Sequence, residues 1–256
     1  MRDVEVVFHL AALIAIPYSY VTPLAYVRTN VEGTVNVLEA ARAAGAATVV
    51  HTSTSEVYGT AQRVPIDEDH PLQGQSPYSA SKIGADKLAE SFHRAYELPV
   101  VTVRPFNTYG PRQSARAVIP TIITQALAGR PVRLGATTPT RDLTFATDTA
   151  RGFMAAAAAA DRAAGQVLNL GVGEEISIGD LAVKIGELLG GDLEIEHDSQ
   201  RDRPVASEVE RLLSDNSRMR ELTGWQPEVS LDEGLRATIE YLREHLHRYR
   251  PDLYQV

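Results

Sequence analysis

No cysteine occurs among the 256 residues, which excludes disulfide frameworks and thiolate metal sites and is compatible with a reducing compartment. Nor does any apolar run approach the roughly 18 residues of a membrane span, and MRDVEVVFHL has neither the basic nor the apolar region of a secretory signal. A cytoplasmic location without a membrane partner is the expectation. Positive charge is scarce: 25 Lys and Arg against 33 Asp and Glu give a formal charge of −8, and no basic stripe offers itself to nucleic acid. The histidines lack metal-ligand spacing, His245 and His247 lying two apart in a charged terminal stretch, so no metal is expected. There is no internal repeat and no Pro- or Ser-rich linker. What is present is a globular composition, 44% apolar, sufficient for one large domain or two intertwined ones.

VEVVFHL (4–10) and TVVHTS (48–53) are short β-branched runs separated by NVEGTVNVLEAARAAG (30–45), whose apolar residues recur at helical spacing. That is a βαβ unit. The pattern continues through a helix starting near Ser76-Pro77, where serine caps and proline suits the first turn, into the strand VVTVRP (100–105). A helix over 147–160 and the strand VLNLG (167–171) extend it, the alanines at 155–160 reading as small side chains packed close to a sheet. Apolar strands alternating with helices predict an α/β fold with a doubly wound parallel sheet, covered on both faces. From Pro111 the regularity breaks into short pieces: RPVRL (130–134), ISIGDLAVKIGELLG (176–190) with Ser177 and Asp180 as an approximate capping box, LEIEH (193–197), and a helix opened by Asp215. The predicted division is a sheet domain over 1–110 and 145–172, and a smaller discontinuous α/β substrate-binding domain over 111–144 and 173–256, with a cleft between them.

Ligands bind at the carboxyl ends of strands in open α/β sheets, and that is where the chemically useful residues fall. In SPYSASK, Tyr78 and Lys82 are four apart on one helical face. An ammonium there favours the ionised form of a phenol whose ordinary pKa is about 10, making it useful as a base. Ser53 and Thr54, at the end of the preceding strand, are placed to hydrogen-bond the same substrate hydroxyl.

The ordered motifs HLAA (9–12), TNVEGT (29–34), STSEVYG (53–59), PYSASK (77–82) and RPFNTYGPR (104–112) resemble the extended short-chain dehydrogenase/reductase family, and TRDLTFATD (140–148), RDRP (201–204) and LTGWQP (222–227) carry the resemblance to the end of the chain. Within it, HTSTSEVYGTAQ, IGADKLA, RQSARAVIPTIITQ and LIAIPYSY look most like the 4,6-dehydratases that act on UDP- or GDP-N-acetylglucosamine in legionaminate-type pathways. The resemblance implies a Rossmann-like domain that binds NAD, a nucleotide-sugar substrate, and a homodimer formed through helices at about 24–44 and 77–96. Tyr78 would take the proton from the sugar O4 while Thr54 holds that hydroxyl, and Lys82 would hold the nicotinamide ribose. Glu56 would remove the C5 hydrogen of the 4-keto sugar. Relatives that only epimerise at C4 usually carry a small apolar residue at that position. Ser55 stands where some dehydratases have an aspartate acid, so the proton donor at C6 would be Ser55 or a water it orients. Leu10, Ala11, Ala12, Asn30, Thr52, Ser53 and Pro105 are carried over as cofactor contacts, and Asn107, Arg112, Arg141 and Arg203 as substrate contacts. Arg104 reads as structural, and the tyrosines of IPYSY (16–20) either as lining of the sugar pocket or as packing within a loop.

The family's glycine-rich GxxGxxG turn, and the residue that selects NAD over NADP, do not occur in these 256 residues; GVGEE (171–175) follows a late strand and lacks the spacing. Met1 falls about where the fourth family strand would start, so the sheet is expected to be N-terminally incomplete, with VEVVFHL as an exposed apolar edge and with weak NAD binding by the chain as given. Two other readings stay open beside the dehydratase: a C4 epimerase or reductase of the same family, and a catalytically inactive sugar-nucleotide-binding module.

Overall fold

The computed structural model describes residues 3–254. Its centre is a four-stranded parallel sheet in the order β1 (Val6–His9), β2 (Thr48–Thr52), β3 (Val100–Pro105), β8 (Val167–Leu170). Between β1 and β2 run two short helices, α1 (Ile16–Val21) and α2 (Pro23–Tyr26), a π-helical turn over Val27–Glu32, and α3 (Gly33–Ala44). The long α4 (Pro77–Tyr96) leads to β3, and α6 (Ala146–Ala158) with α7 (Ala160–Ala163) leads to β8. The fold is therefore Rossmann-like α/β, as the strand pattern predicts. Strands buried on both faces have no polar side to alternate with, which is why β-branched runs alone mark them.

One face of the sheet packs Leu38, Ala41, Ala89 and Phe92 from α3 and α4 against Val49 and Val100. The other packs Phe153 and the alanines of α6 and α7 against Val50, Val101, Val103, Leu168 and Leu170. The alanine run thus does what its small side chains allow, bringing a helix close to the sheet. Met219 and Trp225 complete this second layer, although they lie in the C-terminal stretch that the sequence pattern groups with the other lobe.

That lobe has its own core. Here α5 (Val118–Leu127), α8 (Ile178–Leu189) and α10 (Leu231–Glu244) bury Ile119, Ile122, Ile123, Leu181, Ile185, Leu235, Ile239 and Leu242 against β5 (Val132–Leu134). Its strands form three small sheets: β5 with β10 (Ile195–His197); β6 (Thr140–Arg141) between β9 (Ile176–Ser177) and β11 (Arg211–Leu212); and β4 (Asn107–Tyr109) with β7 (Leu143–Phe145).

Local chemistry explains the helix starts. Ser76 Oγ accepts from Ser79 N at 3.1 Å and Pro77 follows at the first helical position. Ser177 Oγ likewise accepts from Asp180 N at 3.0 Å. Two expectations are corrected. The helix expected to open at Asp215 is α9 (Ser217–Thr223), because Asp215 Oδ1 instead accepts from Ser217 N at 2.9 Å, outside the helix. IPYSY is helical, with Pro17 in the first turn of α1.

Candidate active site

The carboxyl ends of β2 and β3 place the reactive groups. After Thr52 the chain turns into a 3-10 helix, Ser55–Tyr58, capped by Thr54, whose Oγ1 accepts from Glu56 N at 3.2 Å. Thr54 and Ser55 are buried. Opposite, the first turns of α4 present Tyr78 and Lys82, both buried. The Tyr78 ring meets Tyr26 edge-on, centroids 6.2 Å apart.

The Lys82 Nζ donates to the Thr52 carbonyl at 2.6 Å. Burial pushes the Tyr78 phenol well above its ordinary pKa, with the Glu56 and Asp86 carboxylates and Tyr26 adding to the rise and the Thr54 side chain opposing it. Burial lowers the Lys82 ammonium, Asp86 opposing. A phenol so placed is protonated at neutral pH, and base character has to be drawn from it by positive charge.

A second set of groups forms an ionic cluster. The Glu56 carboxylate, with 12% of its side chain exposed, lies 3.9 Å from Arg203 Nη1. Glu208 Oε1 is shared between Arg203 Nη1 at 3.4 Å and Arg141 Nη2 at 3.3 Å. Arg141 is buried because it sits in the middle strand β6, and Asp142 beside it fixes the surrounding loops. The Asp142 carboxylate accepts from Val172 N at 2.8 Å, Gly173 N at 2.9 Å and Ser214 N at 3.1 Å. This explains GVGEE as structural: a Cβ at Gly171 would lie 2.5 Å from Ser214 Cβ, so only glycine permits the approach. Burial raises Asp142 to about 6 against those three donors.

Arg141, Arg203 and Glu208 line a cleft of about 280 Å³ that also takes in Asn107, Gln113 and Arg116. Asn107 Oδ1 and Gln113 Oε1 are buried acceptors without partners. Arg112 is exposed and outside this lining; φ of 67° at that residue turns the chain, and Arg116, four residues further on in the loop before α5, lines the cleft. Of IPYSY it is Pro17 that reaches the cleft, while Tyr20 OH pairs with Ser207 Oγ at 2.5 Å.

Comparison with known proteins decides the family. The family model described as GDP-mannose 4,6 dehydratase matches residues 1–238. The chain belongs to this dehydratase-like family of extended short-chain dehydrogenases/reductases. Its relatives are nucleotide-sugar dehydratases and epimerases. A UDP-glucose 4-epimerase of Mycolicibacterium smegmatis is 38% identical over 244 residues, covering 93% of this chain and 76% of the relative. A dTDP-glucose 4,6-dehydratase of Streptomyces griseus is 35% identical over 253 residues, covering 98% and 75%. Among solved structures, the Streptomyces venezuelae dTDP-glucose 4,6-dehydratase DesIV with NAD bound superposes with a TM-score of 0.90 at 32% identity, over 98% of this chain and 76% of that one.

Seen as a family member, the chain shows two carried-over contacts already occupied. Asn30 is buried, with Oδ1 accepting from Leu13 N and Nδ2 donating to Leu13 O and Ser81 Oγ, each at 2.9 Å. It fixes the loop after β1, in which Leu10 and Ala11 are exposed and Ala12 half-buried. Ser53 Oγ donates to Asp86 Oδ2 at 2.8 Å. Thr52 Oγ1 is buried without a partner, and Pro105 is half-buried at the end of β3. Asp86, eight residues beyond Tyr78, lies within IGADKLA, a motif that assigns it no role. It also accepts from Arg104 Nη2 at 3.0 Å and pairs with His51 Nε2 at 3.1 Å. Glu208 was missed for a different reason: only folding brings it between two arginines.

Proposed function

We propose that the chain is the catalytic and substrate-binding part of an NAD-dependent nucleotide-sugar 4,6-dehydratase. The observation that carries this reading is Glu56, a largely buried carboxylate beside Tyr78 at the end of β2, where a C4 epimerase, the reaction named for the mycobacterial relative, needs no second base. The residues present fit a nicotinamide and its ribose: Thr52 Oγ1 is a buried hydroxyl without a partner and Lys82 Nζ sits beside it on the Thr52 carbonyl. Leu10, Ala11 and Ala12 follow β1 at the same end of the sheet. When bound, NAD supplies a two-electron acceptor at C4 and returns the same electrons at C6.

The chain's own residues handle the protons. Thr54 holds the O4 hydroxyl, and Tyr78 accepts its proton as the phenolate, a form favoured by the positive charge of Lys82 and of an oxidised nicotinamide when one is bound. The C4 ketone acidifies the C5 hydrogen, which Glu56 takes as the C6 oxygen leaves as water, and Glu56 returns a solvent-exchangeable proton to C5 when C6 is reduced. The leaving C6 oxygen needs a proton, which Ser55, or a water it orients, would give. Arg141 and Arg203 hold the pyrophosphate, guanidinium forks matching phosphate oxygens, with Asn107 and Arg116 flanking them. Glu208 positions both arginines. The N-acetylglucosamine nucleotides of the sequence resemblance are the first hexoses to test, with dTDP-glucose beside them. The two lobes, 1–110 with 145–172 and 111–144 with 173–256, divide the work between cofactor and nucleotide sugar.

The test uses this chain joined behind a glycine-rich dinucleotide-binding segment of a relative. Tyr78→Phe should abolish oxidation at C4. Glu56→Gln should keep that oxidation, seen as nicotinamide absorbance, yet lower solvent deuterium entry at C5 by about 10²–10⁴, the usual cost of a lost general base. A Glu56→Gln enzyme that dehydrates within a few-fold of the parent would refute the assignment.

A further inference from the structure

The C-terminal tail reaches the same cleft. Beyond α10, Tyr249 packs half-buried against the lobe core, a turn from Arg250 to Leu253 follows, and Tyr254 ends on the cleft lining. Its ring lies under the Arg201 guanidinium, Cζ 4.7 Å from the centroid. Arg201 is itself held in place. Only 15% of its side chain is exposed, and Nε donates to Asp198 Oδ2 at 3.0 Å. The backbone behind it is fixed by close approach to Gly135, where a Cβ would lie 2.8 Å from Arg201 O. A cation on an aromatic face, with one partner pinned, makes a flat wall rather than a mobile side-chain pair.

We propose that Tyr254 and Arg201 form the nucleobase wall of the cleft, the tail acting as a strap that carries an aromatic surface to it. The inference rests on the proposed nucleotide-sugar reading. A nucleotide sugar is a linear ligand: with the hexose at Tyr78 and Glu56 and the pyrophosphate at Arg141 and Arg203, the base continues along the cleft past the arginines. There the lining is Leu134, Gly135, Ala136, Arg201 and Tyr254, an apolar strand end facing a stacked cation–aromatic pair. Every nucleobase has a π-face, so this wall serves affinity for the base without choosing among bases, and the choice falls to the backbone groups of 134–136.

Calorimetry on the 256-residue chain with UDP, dTDP, GDP and inorganic pyrophosphate tests this. Tyr254→Ala should weaken whichever nucleoside diphosphate binds by roughly tenfold, and leave pyrophosphate affinity within twofold. Tyr254→Phe should retain the parent affinity. Tyr254→Trp should show fluorescence that responds to the nucleoside diphosphate and not to pyrophosphate, beyond the response of the parent's own Trp225. If Tyr254→Ala weakens nucleotide and pyrophosphate equally, the tail only props the arginines and the proposal falls. It falls equally if neither changes. Arg141→Ala separates this from the underlying reading. Loss of both ligands with Arg141→Ala, but no effect of Tyr254→Ala, removes the strap alone. No effect of Arg141→Ala on any ligand removes the nucleotide-sugar reading and the strap with it.

Discussion

Replacing Asp86 with alanine should be among the most destabilising single changes available to this chain. Asp86 and Arg104 each expose 4% of their side chains and meet at 3.0 Å. Without the carboxylate, Arg104 keeps only Tyr58, whose hydroxyl accepts at 2.9 Å and whose ring lies 4.9 Å from the guanidinium. His51 Nε2 and Ser53 Oγ lose their partner together, and His51 Nδ1 has none to begin with. Stranding one charge of a buried pair costs about 3–5 kcal/mol, against total stabilities of about 5–15 kcal/mol. We expect a loss of about 4 kcal/mol, a shift of roughly 1.3–2 M in the urea midpoint for a slope of about 2–3 kcal/mol/M. Fluorescence of the buried Trp225, packed on the sheet, reads the transition. The double variant Asp86→Leu, Arg104→Met removes both charges and should recover most of the loss. A loss below about 1 kcal/mol for Asp86→Ala, or a double variant worse than either single one, would refute the reasoning.

Acid stability gives a second test. Burial first, then His51 and Lys82, lower His9 from 6.5 to about 4. The unfolded chain therefore binds the extra proton between those values, so stability is full above pH 6.5 and is lost as pH falls toward 4. The difference, 6.5 − 4, caps the effect at ~3 kcal/mol. His9→Gln should lose less on acidification than the parent, and a parent-to-variant difference that stays constant from pH 7 to 4.5 would contradict it. A third concerns assembly. Leu24 and Val27, 58% and 49% exposed, lie at the start of the helical segment over about 24–44 expected to pair with helix 77–96 of a second copy. Light scattering at micromolar concentration should report a dimer, and a monomer would remove that expectation.

How much of this was legible depends on the range of the interactions. Strands β2, β3 and β8 declare themselves because burial on both faces leaves short, mostly apolar runs, and α4 because Ser76 and Pro77 cap it within one turn. The π-helical turn at Val27–Glu32 has no such local mark. Asn30 lies within it, its amide committed to Leu13 and Ser81, contacts that exist only in the fold. The site divides the same way. Tyr78, Lys82, Thr54 and Glu56 stand in contiguous motifs, whereas Glu208, Asp86 and Tyr254 act through partners distant in sequence. Arg112 stands in a readable motif yet lies exposed outside the cleft that Arg116 lines.

The parallel pairing of β3 with β8 sets the order in which the molecule is assembled. Residues 106–166 lie between these two strands, so closing the sheet means closing a loop that contains α5, β5 and β7. Such a closure costs entropy before any strand contact offsets it, and parallel pairing of this span is slow. During synthesis β1, β2 and β3 emerge with Val101 and Val103 uncovered, and their cover comes from α6 and α7, then from β8 beside them, and last from Met219 and Trp225. The two lobes cannot therefore fold one after the other as independent bodies. The last part of the layer over the sheet is supplied from the C-terminal stretch, and a nascent chain stopped short of Trp225 would hold a sheet with that face incompletely covered.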